Sequence, residues 1–279
     1  MINYYLVTKP GIVMGNLVTF AAGFFLASRL GVDFALMFWA VLGMAFIIAS
    51  ACVFNNYIDK ERDRKMERTK NRAFVKEKIS YNLALGGATL LFLAGNALFL
   101  WIDRTEALIA SDIAFFIYVL VYSLIKDKTL YATAIGSIAG AFPPVIGYLT
   151  VSRHLDMGAY LLFAMMILWQ MPHFYAIALM YQKDYEKAGI PLLPIEKGIF
   201  RTKIHMLLYI IAFVAVTPLF TYYGYTGVSF LIAVMLFGGM WLVFALLGFQ
   251  KRLAAWDRKM FRFSLVVINV LAILLALRA

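Results

Sequence analysis

The stretch that decides the fold of this chain is residues 35–63, ALMFWAVLGMAFIIASACVFNNYIDKERD. Its apolar part, residues 35–56, is as long as the roughly 20-residue helix that crosses a bilayer. If the helix continues into the polar part, Asn55, Asp59 and Asp63 lie on one face, because residues four apart stack along a helix. The stretch therefore predicts a membrane helix that carries a row of side-chain oxygens to the membrane surface.

The rest of the chain is equally apolar. Hydrophobic residues make up 63% of the 279 residues, which is typical of an integral membrane protein and excludes an ordinary soluble domain. The apolar runs do not alternate with polar residues, so they predict α-helices rather than the strands of a β-barrel. We expect one all-α domain over residues 1–279, a single bundle of nine transmembrane helices of which the last is short. The predicted helices are at about 11–28, 35–56, 83–102, 106–125, 131–151, 158–181, 205–224, 228–250 and 263–277.

The basic residues orient these helices. All but four of the 26 lysines and arginines fall on one set of alternate connections, and the other set holds only Arg29, Arg104, Arg153 and Arg278. Because lysine and arginine concentrate in cytoplasmic loops, this asymmetry predicts a cytoplasmic N-terminus and an external C-terminus. The net charge of +11 then belongs to the cytoplasmic face, so we expect no nucleic-acid partner.

The polar residues that end the second predicted helix have the chemistry of a magnesium–diphosphate site. Asn55, Asp59 and Asp63 supply oxygen ligands, and Mg²⁺ commonly uses one or two carboxylates together with substrate phosphates. Cations suited to phosphate oxygens follow in the chain, and the candidates are Arg64, Arg68, Lys70 and Arg72. The alternative is a basic loop whose acids only balance charge, but the helical spacing favours the site.

Two further clusters lie on the same predicted side of the membrane. Lys183 and Asp184 follow the sixth helix and could form a second diphosphate or metal wall, or only a solvated helix end. Lys126 could contact phosphate as a point charge, or could serve only to set the topology. The candidate catalytic residues are thus Asn55, Asp59, Asp63, Lys126 and Asp184, and those for the metal are Asn55, Asp59, Asp63 and Asp184.

Prolines and small residues mark two of the membrane helices. Gly136, Gly140 and Gly147 recur along the fifth helix and allow close packing, and the Pro143-Pro144 pair is expected to break that helix. In the sixth helix Pro172 is expected to interrupt the hydrogen-bond ladder beside Gln170 and His173. Polar side chains at membrane depth usually line a cavity, and we include Asn16 of the first helix with them; the alternative is an interhelical hydrogen bond near a kink.

Together these motifs resemble the UbiA-type intramembrane prenyltransferases, and within that family the branch that farnesylates heme. The family's first motif is similar to Asn-Asp-x-x-Asp-x-x-x-Asp and stands here as residues 55–63, with Asn56 in the position where the heme branch also has asparagine. The resemblance runs from about residue 8 to 270. The other matching segments are 8–11, 64–72, 141–147, 169–173 and 184–194.

The chain departs from the family's second motif, which usually has two acids four residues apart. Tyr181 and Tyr185 stand at those positions, with Asp184 between them. The departure argues against a second full Mg²⁺ site, and one ion held mainly by Asp59 and Asp63 could suffice.

The resemblance implies a bundle around a cavity open to lipid, in the inner membrane of a bacterium. The implied reaction joins the farnesyl group of farnesyl diphosphate to a vinyl group of heme B, adds water, and gives heme O and diphosphate. His173 could ligate the heme iron, bond a propionate or donate a proton. Residues expected to line the heme and prenyl cavity are Asn16, Asn56, Gln170, His173 and Tyr181. An oxidase that uses heme O, or heme A synthase, is an implied partner.

Two other functions compete with this one. Another reaction of the same family would prenylate a quinone precursor, but Asn56 and residues 169–173 favour heme. A transporter should carry polar residues along a path to the outer face. The polar residues here concentrate on the cytoplasmic side, which argues against a transporter.

Overall fold

The computed structural model describes residues 2–28, 31–250 and 255–277, and within them every regular element is helical. In these ranges nine helices are long and apolar enough to cross a membrane, which confirms the predicted number. They are α2 Pro10–Ser28, α3 Phe34–Ile58, α5 Tyr81–Trp101, α6 Thr105–Ile125, α7 Ala132–Ser152, α8 Met157–Met180, α11 Gly198–Tyr222, α12 Val228–Phe249 and α13 Trp256–Leu277. The shorter helices are α1 Ile2–Leu6, α4 Lys60–Lys65, α9 Gln182–Ala188 and α10 Leu193–Glu196.

The last membrane helix is longer than predicted. Residues 263–277 were expected, but α13 begins at Trp256 and has 22 residues. The first two turns of α13 contain several charged residues, so a search of the sequence for apolar runs did not include them. Those turns are amphipathic, with Trp256 and Met260 buried and Arg258 and Lys259 exposed. Charged side chains at a helix end reach water while the helix continues, which also explains the early start of α11 at Gly198.

The prediction that prolines break the fifth helix was wrong. Helix α7 runs unbroken through Pro143 and Pro144, and α8 runs unbroken through Pro172. Tight packing of α2 on α7 supports the proline turn: a Cβ on Gly23 would lie 1.9 Å from the carbonyl oxygen of Pro144. A Cβ on Gly147 would lie 2.0 Å from that of Phe20, so the predicted close packing of small residues is confirmed.

The membrane helices enclose one large cavity in the described part of the chain. Helix α2 packs against α3, α7 and α13, and α8 packs against α7, α11 and α13. The cavity, about 580 Å³ in volume, is lined from α2, α3, α6, α7, α8 and α13 and from the loop that follows α4. One end lies where α3 meets α4, and the other lies among apolar side chains inside the bundle.

Candidate active site

The junction of α3 and α4 delivers the row of oxygen-bearing residues. Asp59 lies between α3 and α4, but the chain keeps its helical course there, because the Asp59 backbone stays in the right-handed helical region at φ −84° and ψ −7°. Its N–H donates to the carbonyl of Asn55 at 3.0 Å, and the N–H of Asp63 donates to Asp59 at 2.8 Å. The three residues therefore succeed one another at one-turn intervals, as the spacing predicted, and all three line the cavity.

Both carboxylates are buried and both contact cations. Asp59 is 4% exposed and accepts from Lys126 and, at 3.1 Å, from Arg62. Asp63 is 2% exposed and accepts from Arg72 at 2.6 Å. A buried carboxylate without a partner costs several kcal/mol, and these cations supply the partners.

The cations approach from two sides. Lys126 and Arg72 line the cavity with the acids. Arg62 instead lies behind Asp59, where it donates to Asp127 at 2.7 and 3.1 Å and to the carbonyl of Ser123 at 2.9 Å. Arg62 therefore anchors Asp59 to the end of α6, while Lys126 and Arg72 face the space where a ligand would bind.

The donor set fits Mg²⁺. Two carboxylates and the amide oxygen of Asn55 are hard oxygen ligands on one helical face. In the ranges that the structure describes, no three histidine, cysteine, aspartate or glutamate side chains converge as a metal cluster. Mg²⁺ needs no such cluster, because it takes its remaining ligands from water and substrate phosphates.

Asn55 is held between two other elements. Lys9, just before α2, donates to its Oδ1 at 2.6 Å, and its Nδ2 donates to the hydroxyl of Ser123 at 2.9 Å. Ser123 in turn donates to the carbonyl of Tyr118 at 2.9 Å, an oxygen left within reach by the π-helical turn Ile117–Tyr122. Such single π-turns recur at functional sites, and this one fixes the orientation of the Asn55 amide.

Lys9 brings another cation to this end of the cavity. Its side chain lines the cavity, and its backbone is left-handed at φ +52°. Burial lowers the pKa of the Lys9 ammonium to about 8, and the charge of nearby Arg72 acts in the same direction. An anion bound beside Lys9 would restore its preference for the charged form.

The loop after α4 is tied to the segment after α8. The N–H of Arg68 donates to Asp184 at 3.2 Å, and its guanidinium lies 4.8 Å from the ring centroid of Tyr181 and 3.4 Å from the hydroxyl of Tyr185. Arg68 and Tyr185 line the cavity, whereas Asp184 and Tyr181 lie behind Arg68. Burial raises the pKa of the Tyr185 hydroxyl, so this group stays neutral.

Several predicted residues lie outside the cavity wall. Arg64 is exposed and pairs with Glu61 at 2.9 Å, Lys70 is exposed and pairs with Glu67, and Lys183 is exposed. Asn56 is buried on another side of α3, where it donates to the carbonyl of Val7 at 2.7 Å. These four residues are near the site in sequence, but the helix turns and the loop direct them elsewhere.

The other half of the cavity is apolar and aromatic, with few polar atoms. Asn16 and Gln170 both line it. Gln170 fits against α7 only because residue 140 is glycine: a Cβ there would lie 2.1 Å from its Oε1. His173 stacks on Trp169 with ring centroids 4.9 Å apart. The structure thus brings the polar residues of α2 and α8 into the same cavity as the acids.

Sequence reasoning missed four residues that the structure adds to the site. Lys9 was noted only as a topology charge and as part of the matching segment 8–11, and Arg62 only as part of a basic run. Ser264, whose hydroxyl oxygen lies 2.8 Å from Nδ1 of His173, and Ser123 carry no signal in the sequence, because a serine inside an apolar run is usually a packing residue. Contacts between distant elements bring these side chains into the site, and a single sequence does not reveal such contacts.

Known proteins match this chain over nearly its whole length. The sequence profile of the UbiA prenyltransferase family matches residues 16–267. The chain belongs to the UbiA prenyltransferase family. A UbiA relative from Protochlamydia amoebophila, named protoheme IX farnesyltransferase, is 50% identical over 283 residues, which cover 98% of this chain and 97% of the relative. A relative from Sodalis glossinidius with the same name is 48% identical over 99% of this chain and 94% of its own length.

Solved UbiA structures share the fold. A structure of digeranylgeranylglyceryl phosphate synthase superposes with a TM-score of 0.82 at 18% identity, covering 99% of this chain and 96% of that one. A UbiA homolog from Archaeoglobus fulgidus, bound to GPP and Mg²⁺, superposes with a TM-score of 0.65 at 14% identity. The match covers 98% of this chain and 99% of that one. The likeness at these identities establishes the UbiA fold for this chain.

Proposed function

We propose that this UbiA member transfers the farnesyl group of farnesyl diphosphate to a vinyl group of heme B, with addition of water, to give heme O and diphosphate. Relatives at about half identity over nearly the full length are named protoheme IX farnesyltransferases, and they support this reaction. The observation that carries the proposal is that a single cavity joins an acid–cation cluster to an aromatic pocket. One end suits a diphosphate, and the other suits two large apolar groups.

The acid–cation end would bind and activate the leaving group. The C–O bond of an allylic diphosphate breaks heterolytically, and the electron pair leaves with the diphosphate. Lys126, Arg72, Arg68 and Lys9 line this end and can offset the growing negative charge. Lys126 and Arg72 contact carboxylates in this structure, so each could exchange a carboxylate oxygen for a phosphate oxygen as substrate enters.

Mg²⁺ would be held at the same end. Asn55, Asp59 and Asp63 are the proposed ligands, with Asp184 further away as the partner of the Arg68 backbone. The ion when bound supplies Lewis-acid stabilisation of the diphosphate oxygens. Arg62 would keep Asp59 in place while Lys126 turns to the substrate, because it holds the other oxygen of that carboxylate.

The aromatic end would shield the carbocation and present the acceptor. Apolar walls keep water from the farnesyl cation until the terminal carbon of a heme vinyl group attacks it. The second cation, next to the porphyrin ring, then takes up water and loses a proton to form the hydroxyethyl group. Trp169, His173 and Gln170 line the part of the cavity where we place the porphyrin.

The location of the reaction follows from the basic loops. We place the acid–cation end at the cytoplasmic face of a bacterial inner membrane, since the excess of lysine and arginine lies there. Water-soluble diphosphate would then be released to the cytoplasm, and heme O would remain in the bilayer. An oxidase or a heme A synthase that takes heme O onward is a partner consistent with this arrangement.

The direct test is conversion by the purified full-length chain in detergent with heme B, farnesyl diphosphate and Mg²⁺. Heme products are separated by chromatography and weighed by mass spectrometry. The expected product is heme plus a farnesyl group and one water, and EDTA should abolish it. Unchanged heme in a preparation that binds heme would point to another acceptor, such as a quinone precursor. Absence of both heme binding and diphosphate release would contradict a prenyltransferase.

A further inference from the structure

Three asparagines inside membrane helices make the same local hydrogen bond, and two of them line the cavity. The side-chain nitrogens of Asn16, Asn96 and Asn269 donate to the carbonyl oxygen four residues earlier, at 2.8, 3.0 and 2.7 Å. Asn16 on α2 and Asn269 on α13 line the cavity, whereas Asn96 on α5 does not. Polar side chains at membrane depth usually serve a cavity, so the first two need an explanation beyond the local bond.

Each of these two amides keeps hydrogen-bonding capacity for a small molecule. A backbone carbonyl oxygen can only accept, so the group of the asparagine that faces it is the NH₂. One N–H and the side-chain oxygen then remain without a hydrogen-bond partner among the described residues. Asn269 is exposed and Asn16 is partly exposed, so both groups are within reach of a molecule in the cavity.

Other polar side chains of the apolar half are used within the fold. Gln170 directs its N–H groups to the carbonyl oxygens of Met166 at 3.1 Å and Ser137 at 3.3 Å. The hydroxyls of Thr19 and Ser111 are buried and donate to backbone carbonyls at 2.9 and 2.8 Å. The two cavity asparagines are therefore better placed than these side chains to hold a polar molecule there.

The two asparagines lie on neighbouring helices at a similar depth. Helices α2 and α13 pack against each other. Asn16 is seven residues beyond Lys9, and Asn269 is seven residues beyond Arg262, the last charged residue before it. At 1.5 Å per residue, each amide is about 10 Å along its helix from that basic residue. Both amides can therefore serve the same part of the cavity.

Asn269 also lies close to the part of the cavity where we place the porphyrin. Ser264 contacts both aromatic residues there: its carbonyl oxygen accepts from the indole N–H of Trp169 at 2.7 Å, and its hydroxyl oxygen is 2.8 Å from Nδ1 of His173. Asn269 follows Ser264 by five residues, which is about 7.5 Å along α13. A porphyrin beside Trp169 would bring its edge near this amide.

We infer that Asn16 and Asn269 are positioning residues that hold the water molecule consumed in the reaction. The inference rests on the proposed function, since it takes a heme vinyl group as the acceptor. The two side-chain oxygens would accept the protons of the water and leave an oxygen lone pair directed to the cation. They would also stabilise the positive charge that develops on the water as it bonds to carbon.

The held water decides between two fates of the second cation. This cation forms when the vinyl CH₂ carbon bonds to the farnesyl group, and its charge lies on the carbon next to the porphyrin ring. In one fate the water oxygen bonds to that carbon, one proton passes to solvent, and a hydroxyl group forms. In the other the neighbouring CH₂ loses a proton, a C=C bond forms, and the product is lighter by one water.

The test measures the ratio of these two products. Purified full-length protein in detergent is given heme B, farnesyl diphosphate and Mg²⁺, and hydrated and dehydrated farnesyl heme are separated and weighed. The variants are Asn16→Leu, Asn269→Leu, Asn269→Ala and Asn269→Gln. Asn96→Leu is the matched control, because it loses the same local bond outside the cavity. The ratio does not depend on how much of each variant folds.

Wild type should give almost entirely the hydrated product. The leucine and alanine variants in the cavity should lower the ratio of hydrated to dehydrated product about tenfold, as expected for loss of one hydrogen bond. Asn269→Gln should recover most of the ratio because it restores an amide. Asn96→Leu should match wild type, and the KM for farnesyl diphosphate should be unchanged in every variant.

Three results would overturn the inference. A wild-type ratio in the cavity variants with a raised KM for heme would mean that the amides bind a carboxyl group of heme instead. An equal fall in Asn96→Leu would mean that the ratio reports general damage to the bundle. Farnesylated heme with one ratio in all proteins overturns this inference alone, whereas wild-type protein that makes no farnesylated heme overturns the proposed function as well.

Discussion

Acids pair with cations at both ends of the bundle, but their surroundings differ. Where α3 meets α4, Asp59 and Asp63 are buried against a cavity that also holds Lys126 and Arg72. At the opposite end, in the turn between α5 and α6, Asp103 pairs with Arg153 at 2.5 Å and its side chain is 76% exposed. Arg153 lowers the pKa of the Asp103 carboxyl, yet neither residue lines the cavity.

Burial beside a cavity, and not charge pairing alone, therefore distinguishes the site. An exposed pair is screened by water and contributes little to stability. Burying an ion pair costs desolvation energy that can exceed the attraction between the two charges, so such a pair adds little to the stability of the fold. At this opposite end, Arg104 binds the backbone: it donates to the carbonyl oxygen of Thr150 at 2.7 Å, which caps the end of α7.

The largest effect should come from neutralising the carboxylate at the centre of the cluster. Asp59→Asn removes a proposed metal ligand and the partner of Lys126, so kcat should fall on the order of 10²- to 10³-fold. Steady-state turnover of farnesyl diphosphate and heme measures the loss. The same substitution in the exposed pair, Asp103→Asn, should leave turnover unchanged, and an equal loss in both variants would erase the contrast between the two ends.

A second effect should separate the two kinds of cation in the loop after α4. Arg72 faces Asp63 in the cavity, whereas Lys70 is exposed beside Glu67. Arg72→Gln should lower kcat/KM for farnesyl diphosphate about tenfold to a hundredfold, as expected for loss of a charge-assisted hydrogen bond. Lys70→Gln should stay close to wild type. Equal effects would show that the loop acts only through its total charge.

A third effect concerns pH. Lys9 has a pKa lowered to about 8, so it is charged below that pH and becomes neutral above it. The KM for farnesyl diphosphate should therefore rise as pH increases through about 8, because the neutral amine attracts the diphosphate less. In Lys9→Arg the guanidinium stays charged, and the rise should disappear. A pH profile that is the same in both proteins would remove Lys9 from the diphosphate end.

The smallest effect on activity is expected at the end of the bundle opposite the acid–cation cluster. Arg104→Gln leaves the carbonyl of Thr150 without its partner, which should lower the free energy of unfolding by about 1–3 kcal/mol. Turnover below the melting temperature should be unchanged. Thermal unfolding in detergent, measured together with activity, separates the two outcomes. A loss of turnover without a loss of stability would extend the site to this end.

Much of this arrangement could be predicted from local spacing. Continuous apolar runs gave the number of membrane helices, and the interval of four residues placed Asn55, Asp59 and Asp63 on one face. The ends of the helices were harder to predict, because charged turns at a membrane surface remain helical, as they do after Trp256. The prolines of α7 led to a wrong prediction of a helix break, because a helix inside a bundle tolerates proline when neighbouring helices support the turn.

The partners of the central residues could not be predicted. Asn55 meets Lys9 and Ser123, and Arg62 meets Asp127, each across a long separation in the chain. These contacts depend on which helices lie side by side. Apolar runs of similar length and composition do not specify which helices are neighbours. His173 was recognisable as a polar residue at membrane depth, but its contact with the Ser264 hydroxyl, 2.8 Å from Nδ1, is revealed only by the packing of α13 on α8.

The measurement that tests the central claim most directly is a single-turnover reaction in which both products are quantified. Purified protein preloaded with heme B is mixed with a limiting amount of farnesyl diphosphate and with Mg²⁺, and diphosphate and farnesylated heme are followed together. One cavity that serves both substrates predicts equal amounts of the two products, formed at the same rate and both lost in Asp59→Asn. Release of diphosphate without farnesylated heme would contradict the account.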